Sequence, residues 1–345
     1  MLHGPATKAK GWARALSDAA DRASRRQAGD VATSADVRAC FRLLLGREID
    51  DETLTGFRRR LGPRLRAGDL AREIMSSEEF LNRQKDILRP RHTVTTLAAG
   101  QGFDIYVDPH DWAVGSPVAR TGTYEPEVTA TVRSILTSGA TFVDVGANVG
   151  WFSLLAASVV GPHGRVLAVE PNPQNCDLLE RSAAHNHFPQ ITVAPVAASD
   201  TPSVVAVQTD ASNGCIIPTD AVVEPVTCSY VTRARRLDDL IAEAGLDRLD
   251  LLKIDVEGSE PRALRGAEAS IARFRPALIS EFTPIGLGTP PEYRGAIDYL
   301  RYLSDHLGYE LAVIGRDGTF NDGEMLELVT ADPAADHLDL LATPR

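Results

Sequence analysis

The sequence predicts a doubly wound α/β sheet preceded by a small all-helical domain. Three observations carry this. From residue 141 onward, short apolar, β-branched runs alternate with stretches of helical periodicity. The first run, Thr141–Val145, passes through a glycine-spaced turn, Gly146-Ala147-Asn148-Val149-Gly150, into an apolar helix pattern at Phe152, Leu154, Leu155 and Val159. Acids stand at five of the strand exits: Asp144, Glu170, Asp200, Asp255 and Glu281.

Taken in order, residues 1–33 are rich in Ala, Arg, Asp and Ser and read as a disordered arm. Residues 34–88 form the helical module. Ser34 and Asp36 are N-cap candidates, and Val37, Cys40, Phe41 and Leu44 share one helix face. A second helix is expected over 51–61, broken by Gly62-Pro63. Residues 89–122, punctuated by Gly and Pro, read as a linker that becomes a β-hairpin or strand extension. The domain over 123–345 then opens with a helix at 128–136. Strands are expected at 141–145, 165–169, 190–196, 249–256 and 277–282, with helices at 172–184, 237–244, 259–274 and 291–307 between and after them. Residues 201–232 read as an extended insertion. Runs at 310–314 and 325–329 suggest closing strands, and 339–342 an edge piece.

The formal net charge of −11 over 345 residues argues against a nucleic-acid binder, which needs a basic face. No apolar run reaches the roughly 18–20 residues that span a bilayer, so no membrane span is expected. Cys40, Cys176, Cys215 and Cys228 are scattered, which fits reduced thiols in a cytoplasmic protein better than a metal or disulfide framework.

In an open α/β sheet a ligand lies beyond the carboxyl ends of the strands, which makes the strand exits the candidate site. The glycine turn is expected to leave backbone N–H groups bare at a helix start, where a nucleotide-type ligand can approach closely. Asp144 sits in the last turn of an apolar strand, where a buried carboxylate needs a partner. It would repel a phosphate and favour an ammonium-bearing ligand such as S-adenosylmethionine. Glu170, twenty residues beyond Gly150, can accept both hydroxyls of a ribose. The loop pattern D-x-G-x-x-x-G lacks the glycines of a pyrophosphate cradle, which favours S-adenosylmethionine over NAD. In Lys253-Ile254-Asp255-Val256-Glu257 three charges alternate along a strand exit, and Glu281 ends the next strand. A structural pairing of Lys253 with Asp255 competes here with a chemical role. Glu260 reads as serving the first turn of the helix that follows.

Read together, TYEPEVT, VDVGANVGWFS, AVEPNP, VAASD, LLKIDVEGSE and ISEF, in this order over about 122–282, resemble the FkbM family of S-adenosylmethionine-dependent methyltransferases. The resemblance implies a Rossmann-like class I methyltransferase sheet. It implies cofactor contacts from Glu125, Asp144, Gly146, Ala147, Asn148, Gly150, Glu170, Ser199 and Asp200, with Ser199 and Asp200 by the adenine. It places Asp255 and Glu257 toward the acceptor. LLLGREID and IMSSEEFL in the helical module resemble the bacterial domain of unknown function 4214, which suggests a docking role toward another protein.

The expected reaction is O-methylation of a hydroxyl on a sugar, glycan or secondary metabolite, with Asp255 or Glu257 as base and Lys253 or Glu281 as orienter. The acids also offer hard oxygen ligands to Mg²⁺, a reading not favoured because nothing sets a ligand count. The alternatives are an NAD-type dinucleotide oxidoreductase and a non-catalytic scaffold served by the helical module.

Overall fold

The computed structural model describes residues 34, 37–38, 41, 47–62, 70, 74, 77, 95–210, 212–217, 230–283, 294–316, 324–325 and 337–345. The expected arm over 1–33 lies outside them, as does most of the helical module. The chain groups into two units: 1–89 with 203–209 and 216–233, and 90–202 with 210–215 and 234–345.

In the first unit the helix expected over 51–61 is present as α1 (Asp51–Leu61). Asp50 caps it, accepting from the Thr53 backbone N–H and hydroxyl, both at 2.7 Å. Leu54 is buried, as are Val37, Phe41, Ile49, Leu70 and Ile74. The Phe41 and Phe57 rings meet edge-on at 5.3 Å.

The second unit begins with the expected hairpin, β1 (Thr96–Ala99) antiparallel to β2 (Asp104–Val107). A short helix not foreseen, α2 (Gly115–Thr121), follows. Next come α3 (Pro126–Ile135), β3 (Thr141–Val145), α4 (Trp151–Val160), β4 (Arg165–Val169), α5 (Pro173–His185), β5 (Ile191–Ala194) and β6 (Ala197–Ala198). The stretch read as an extended insertion supplies β7 (Ser203–Asp210), β8 (Asn213–Ile217) and β9 (Tyr230–Arg235), of which 203–209 and 216–233 group with the first unit. After it come α6 (Leu237–Glu243), β10 (Leu251–Ile254), α7 (Glu260–Arg265), α8 (Glu268–Phe274), β11 (Ala277–Phe282), α9 (Arg294–Arg301) with a π-helical turn at Tyr302–His306, β12 (Tyr309–Val313) and β13 (Leu338–Pro344).

Seven strands form one sheet in the order β12-β13-β11-β10-β3-β4-β5. β11, β10, β3, β4 and β5 pair in parallel, and β13 runs antiparallel to both neighbours. Every residue of β3 is buried, as a central strand covered on both faces requires. Phe142 packs with α3, α4, α5 and the hairpin, while Val143 and Val145 pack with α6, α7, α8 and α9. From β3 the chain winds outward through β4 and β5, and from β10 it winds the other way through β11. The crevice between the carboxyl ends of β3 and β10 is therefore the switch point.

Three expectations are corrected. The segment 339–342, read as an edge piece, lies inside the sheet as part of β13, between β11 and β12. The single helix over 259–274 is two, because Asp238 reaches in from α6 to accept from the N–H groups of Ala269 and Ser270 and so caps a separate α8. Met325, expected to begin a strand, sits in a helical turn; residues 326–329 lie outside the described residues.

Candidate active site

The turn after β3 takes left-handed backbone at every second residue: Gly146 (φ 81°), Asn148 (φ 51°) and Gly150 (φ 96°). A Cβ on Gly146 would stand 1.7 Å from the Asp255 carbonyl oxygen, and one on Gly150 would stand 2.2 Å from Leu179 Cδ1. The glycines thus let the turn lie flat against the exit of β10 and against α5.

The N–H groups of this turn are not bare, which corrects the sequence reading. Gly146 and Ala147 donate to the Val169 carbonyl (2.9 and 3.2 Å), and Gly150 donates to that of Ala147 (2.9 Å). Asn148 N–H donates to Glu170 Oε2 (2.9 Å), and Val149 N–H to Asn148 Oδ1 (2.8 Å). With all five donors committed, the turn has none to offer a pyrophosphate. Glu170 also accepts at Oε1 from Asn172 N–H (2.8 Å) and Asn175 Nδ2 (3.3 Å). Burial pushes its carboxyl up to about 7, against the pull of these hydrogen bonds.

Asp144 is fully buried. Its Oδ2 accepts from the Ser153 hydroxyl at 2.6 Å, and its Oδ1 has no hydrogen-bond partner among the described residues. Burial raises its pKa, opposed by the Lys253 ammonium. Lys253 is 3% exposed. Its Nζ donates to Asp255 Oδ2 at 2.8 Å and lies 4.7 Å from the centroid of the Phe152 ring. Burial works against that ammonium, but the charges of Asp255, Glu125 and Asp144 outweigh it and raise its pKa. Burial alone would raise Asp255 as well; Lys253 reverses the sign and holds it below the usual carboxylate range.

Glu281, at the end of β11, accepts from the Thr283 hydroxyl at 2.9 Å and lies 3.9 Å from His337 Nδ1. Burial, then the charges of Asp255, Glu257 and Glu260, push its carboxyl well above the usual range. Lys253 thus favours the charged form of Asp255, while burial and the neighbouring acids favour the neutral form of Glu281. Glu125, at the start of α3, is raised to about 7 by burial despite Lys253. Glu125, Asn148 and Glu257 (φ 38°, 51° and 52°) are three of the five non-glycine residues with positive φ among those described. Backbone strain thus gathers at this crevice.

Asp255 is in electrostatic reach of Glu125, Asp144, Lys253 and Glu281, and Glu281 is in reach of Glu257. Ser199 and Asp200 sit at the exit of β6, where Ser199 N–H bonds the Arg235 carbonyl and Asp200 pairs with Arg265. Glu260 does more than meet a helix start: fully buried, its Oε1 accepts from the N–H groups of Val256 (2.9 Å) and Gly258 (3.1 Å) and shapes the turn that carries Glu257. The sequence reading missed Tyr124, which borders Glu125, and Asp339, opposite Glu281 in the register of β13. The acid in LDLLATP was a signal for Asp339, but only the position of β13 in the sheet gives it meaning. Among the described residues no group of three or more His, Cys, Asp or Glu side chains is arranged to hold a metal ion, and no helix is long and apolar enough to cross a membrane.

Comparison with known proteins decides the chemical class. Residues 144–311, the span from Asp144 in β3 to β12, match the methyltransferase FkbM domain. These residues are a methyltransferase domain. The chain is 30% identical over 215 residues to the AMB antimetabolite synthetase AmbE of Pseudomonas aeruginosa, covering 52% of this chain and 10% of that protein. It is 27% identical over 182 residues to the methyltransferase sdnD of Sordaria araneosa, covering 44% of this chain and 70% of that one. The chain thus spans about a tenth of the first relative and about two thirds of the second. Among solved structures it is similar to the methyltransferase FkbM of Methylobacillus flagellatus (18% identity, TM-score 0.38, 88% of this chain and 58% of that one). It is also similar to an O-methyltransferase of Bacillus cereus solved in complex with SAH (12% identity, TM-score 0.39, 66% and 86%).

Proposed function

We propose that this chain moves a methyl group from S-adenosylmethionine to a hydroxyl of a sugar, glycan or secondary metabolite. The observation that carries this reading is Asp255 clamped by the buried Lys253, with Glu281 at the next strand end, at a crevice whose glycine turn has no N–H left for a pyrophosphate. The residues fit a cationic donor. Among the described residues of the crevice, carboxyl groups outnumber lysine, and Asp144 Oδ1 has no hydrogen-bond partner.

When bound, S-adenosylmethionine supplies a methyl group made electrophilic by its sulfonium. Asp144 and Glu125 supply negative charge toward the ammonium end, along the backbone of Gly146, Ala147, Asn148 and Gly150. Glu170 would hold the ribose, and Ser199 and Asp200 would stand by the adenine. Asp255 takes the acceptor's proton at Oδ1, since Oδ2 is committed to Lys253. Lys253 keeps that carboxylate ionised, Glu281 orients it, and Glu257 faces the acceptor from the turn.

The test is transfer of labelled methyl from S-adenosylmethionine to glycans and small metabolites extracted from the host, with mass spectrometry of the product. Asp255→Asn should still bind S-adenosylmethionine but lose transfer by about a hundredfold or more, the usual scale for a general base. Transfer at the unmodified rate in that variant would remove Asp255 from the chemistry. Binding of NAD without S-adenosylmethionine would favour the dinucleotide reading instead.

A further inference from the structure

Away from the acids of β10 and β11, a cavity of about 300 Å³ opens between the β2–α2 connection, the glycine turn and the start of α5. That volume is at the lower end for small-molecule pockets, which run about 300–1,000 Å³. Trp112 stands on its rim, 65% exposed, one of two large apolar side chains left exposed among the described residues. Val149 and Leu178 give the cavity an apolar surface, and Asn172, Gln174 and Asn175 add carboxamides. The Ser212 hydroxyl also lines it, with its oxygen buried and without a hydrogen-bond partner among the described residues.

The walls are built rather than incidental. The Asp111 carboxylate accepts from the N–H groups of Ala113, Val114 and Gly115 and from that of Ser212, so one side chain ties the two segments together. Asn175 Nδ2 donates to the Ser212 carbonyl at 2.9 Å. Gly115 closes the turn beneath them: a Cβ there would stand 2.0 Å from the Asp108 carbonyl oxygen.

We infer that this cavity is a binding subsite for a neutral sugar unit of the methyl acceptor. An exposed indole offers a flat face to the C–H face of a pyranose. Carboxamides and a hydroxyl both donate and accept, which suits neighbouring hydroxyl groups. No lining residue is a lysine or arginine, the one histidine, His110, faces Asp108 at 3.3 Å, and Asp108 and Asp111 border the cavity, so the lining disfavours phosphate and carboxylate ligands. The inference rests on the glycan form of the proposed acceptor and places a unit other than the reacting one.

The test is saturation-transfer NMR on the full chain with methyl α-glucoside, methyl α-galactoside, methyl α-mannoside and N-acetylglucosamine, with glucose 6-phosphate as the charged comparator. S-adenosylmethionine binding is titrated in parallel. At least one neutral sugar should bind, and Trp112→Ala should weaken it about tenfold while S-adenosylmethionine affinity stays unchanged. The inference is overturned if no neutral sugar binds, if Trp112→Ala binds as well as the unmodified chain, or if glucose 6-phosphate binds better than its neutral counterparts. Because the two ligands are read separately, loss of S-adenosylmethionine binding alone would sink the methyltransferase reading and leave the sugar site standing.

Discussion

At the end of β4 a single carboxylate, Glu170, gathers the N–H groups of Asn148 and Asn172 and holds the glycine turn in place. At the ends of β10 and β11, two carboxyl groups and an ammonium answer chiefly to one another: Lys253 to Asp255, and Asp255 to Glu281. Both regions place acids at strand exits, yet the first is held by backbone N–H groups while the second is held by a buried ammonium. An acid at a strand exit therefore says little until its donors are known. Where backbone N–H groups satisfy it, it builds the loop; where a buried lysine satisfies it, it remains ionised and available for chemistry.

The largest expected effect comes from removing the cation. Lys253→Met leaves Asp144, Glu125 and Asp255 facing one another without compensation and should cost about 3–5 kcal/mol, read from urea unfolding. A loss under about 1 kcal/mol would mean that the charge cluster is not held by Lys253, and the contrast with Glu170 would fail. Next is the point where the two regions touch. Gly146→Ala drives a Cβ into the Asp255 carbonyl oxygen and forces alanine to positive φ. It should destabilise the chain by about 1–3 kcal/mol and weaken S-adenosylmethionine binding in the same protein. Unchanged binding would mean that the turn and the β10 exit act independently. The smallest effect is expected from Glu281→Gln. Because burial and the neighbouring acids favour the neutral form of Glu281, an uncharged isostere should keep the methyl-transfer rate within about threefold, whereas a working carboxylate base would lose about a hundredfold.

Much of this contrast could be read from the sequence, and the rest had identifiable reasons for staying hidden. Thr141–Val145, Arg165–Val169 and Ala277–Phe282 appear at the bounds that β-branched runs and turn residues imply. Alternating charge from Lys253 to Glu257 marked the second region, because packing alone does not place charges along a buried strand exit. The state of the glycine turn was hidden, since three of its five N–H groups are satisfied by Val169 and Glu170, more than twenty residues downstream. The same limit hid the break between α7 and α8, which depends on a cap from Asp238, and the place of β13, whose period announces a strand but not its neighbours. Asp255 is marked by a local partner, Lys253, whereas the hold of Glu170 on the glycine turn depends on a donor 22 residues away, the Asn148 N–H.

The central claim is that these strand ends grip a cationic donor, and calorimetric titration of the full chain with S-adenosylmethionine between pH 6 and 8, in buffers of different ionisation enthalpy, tests it most directly. Glu125 is raised to about 7 in the free chain and must be ionised to pair with a cation, so binding should release protons below pH 7 and tighten as pH rises toward 8. One-to-one binding with that proton release, and no binding of NAD under the same conditions, is the expected result. Binding of NAD, or S-adenosylmethionine binding with neither proton release nor pH dependence, would contradict it.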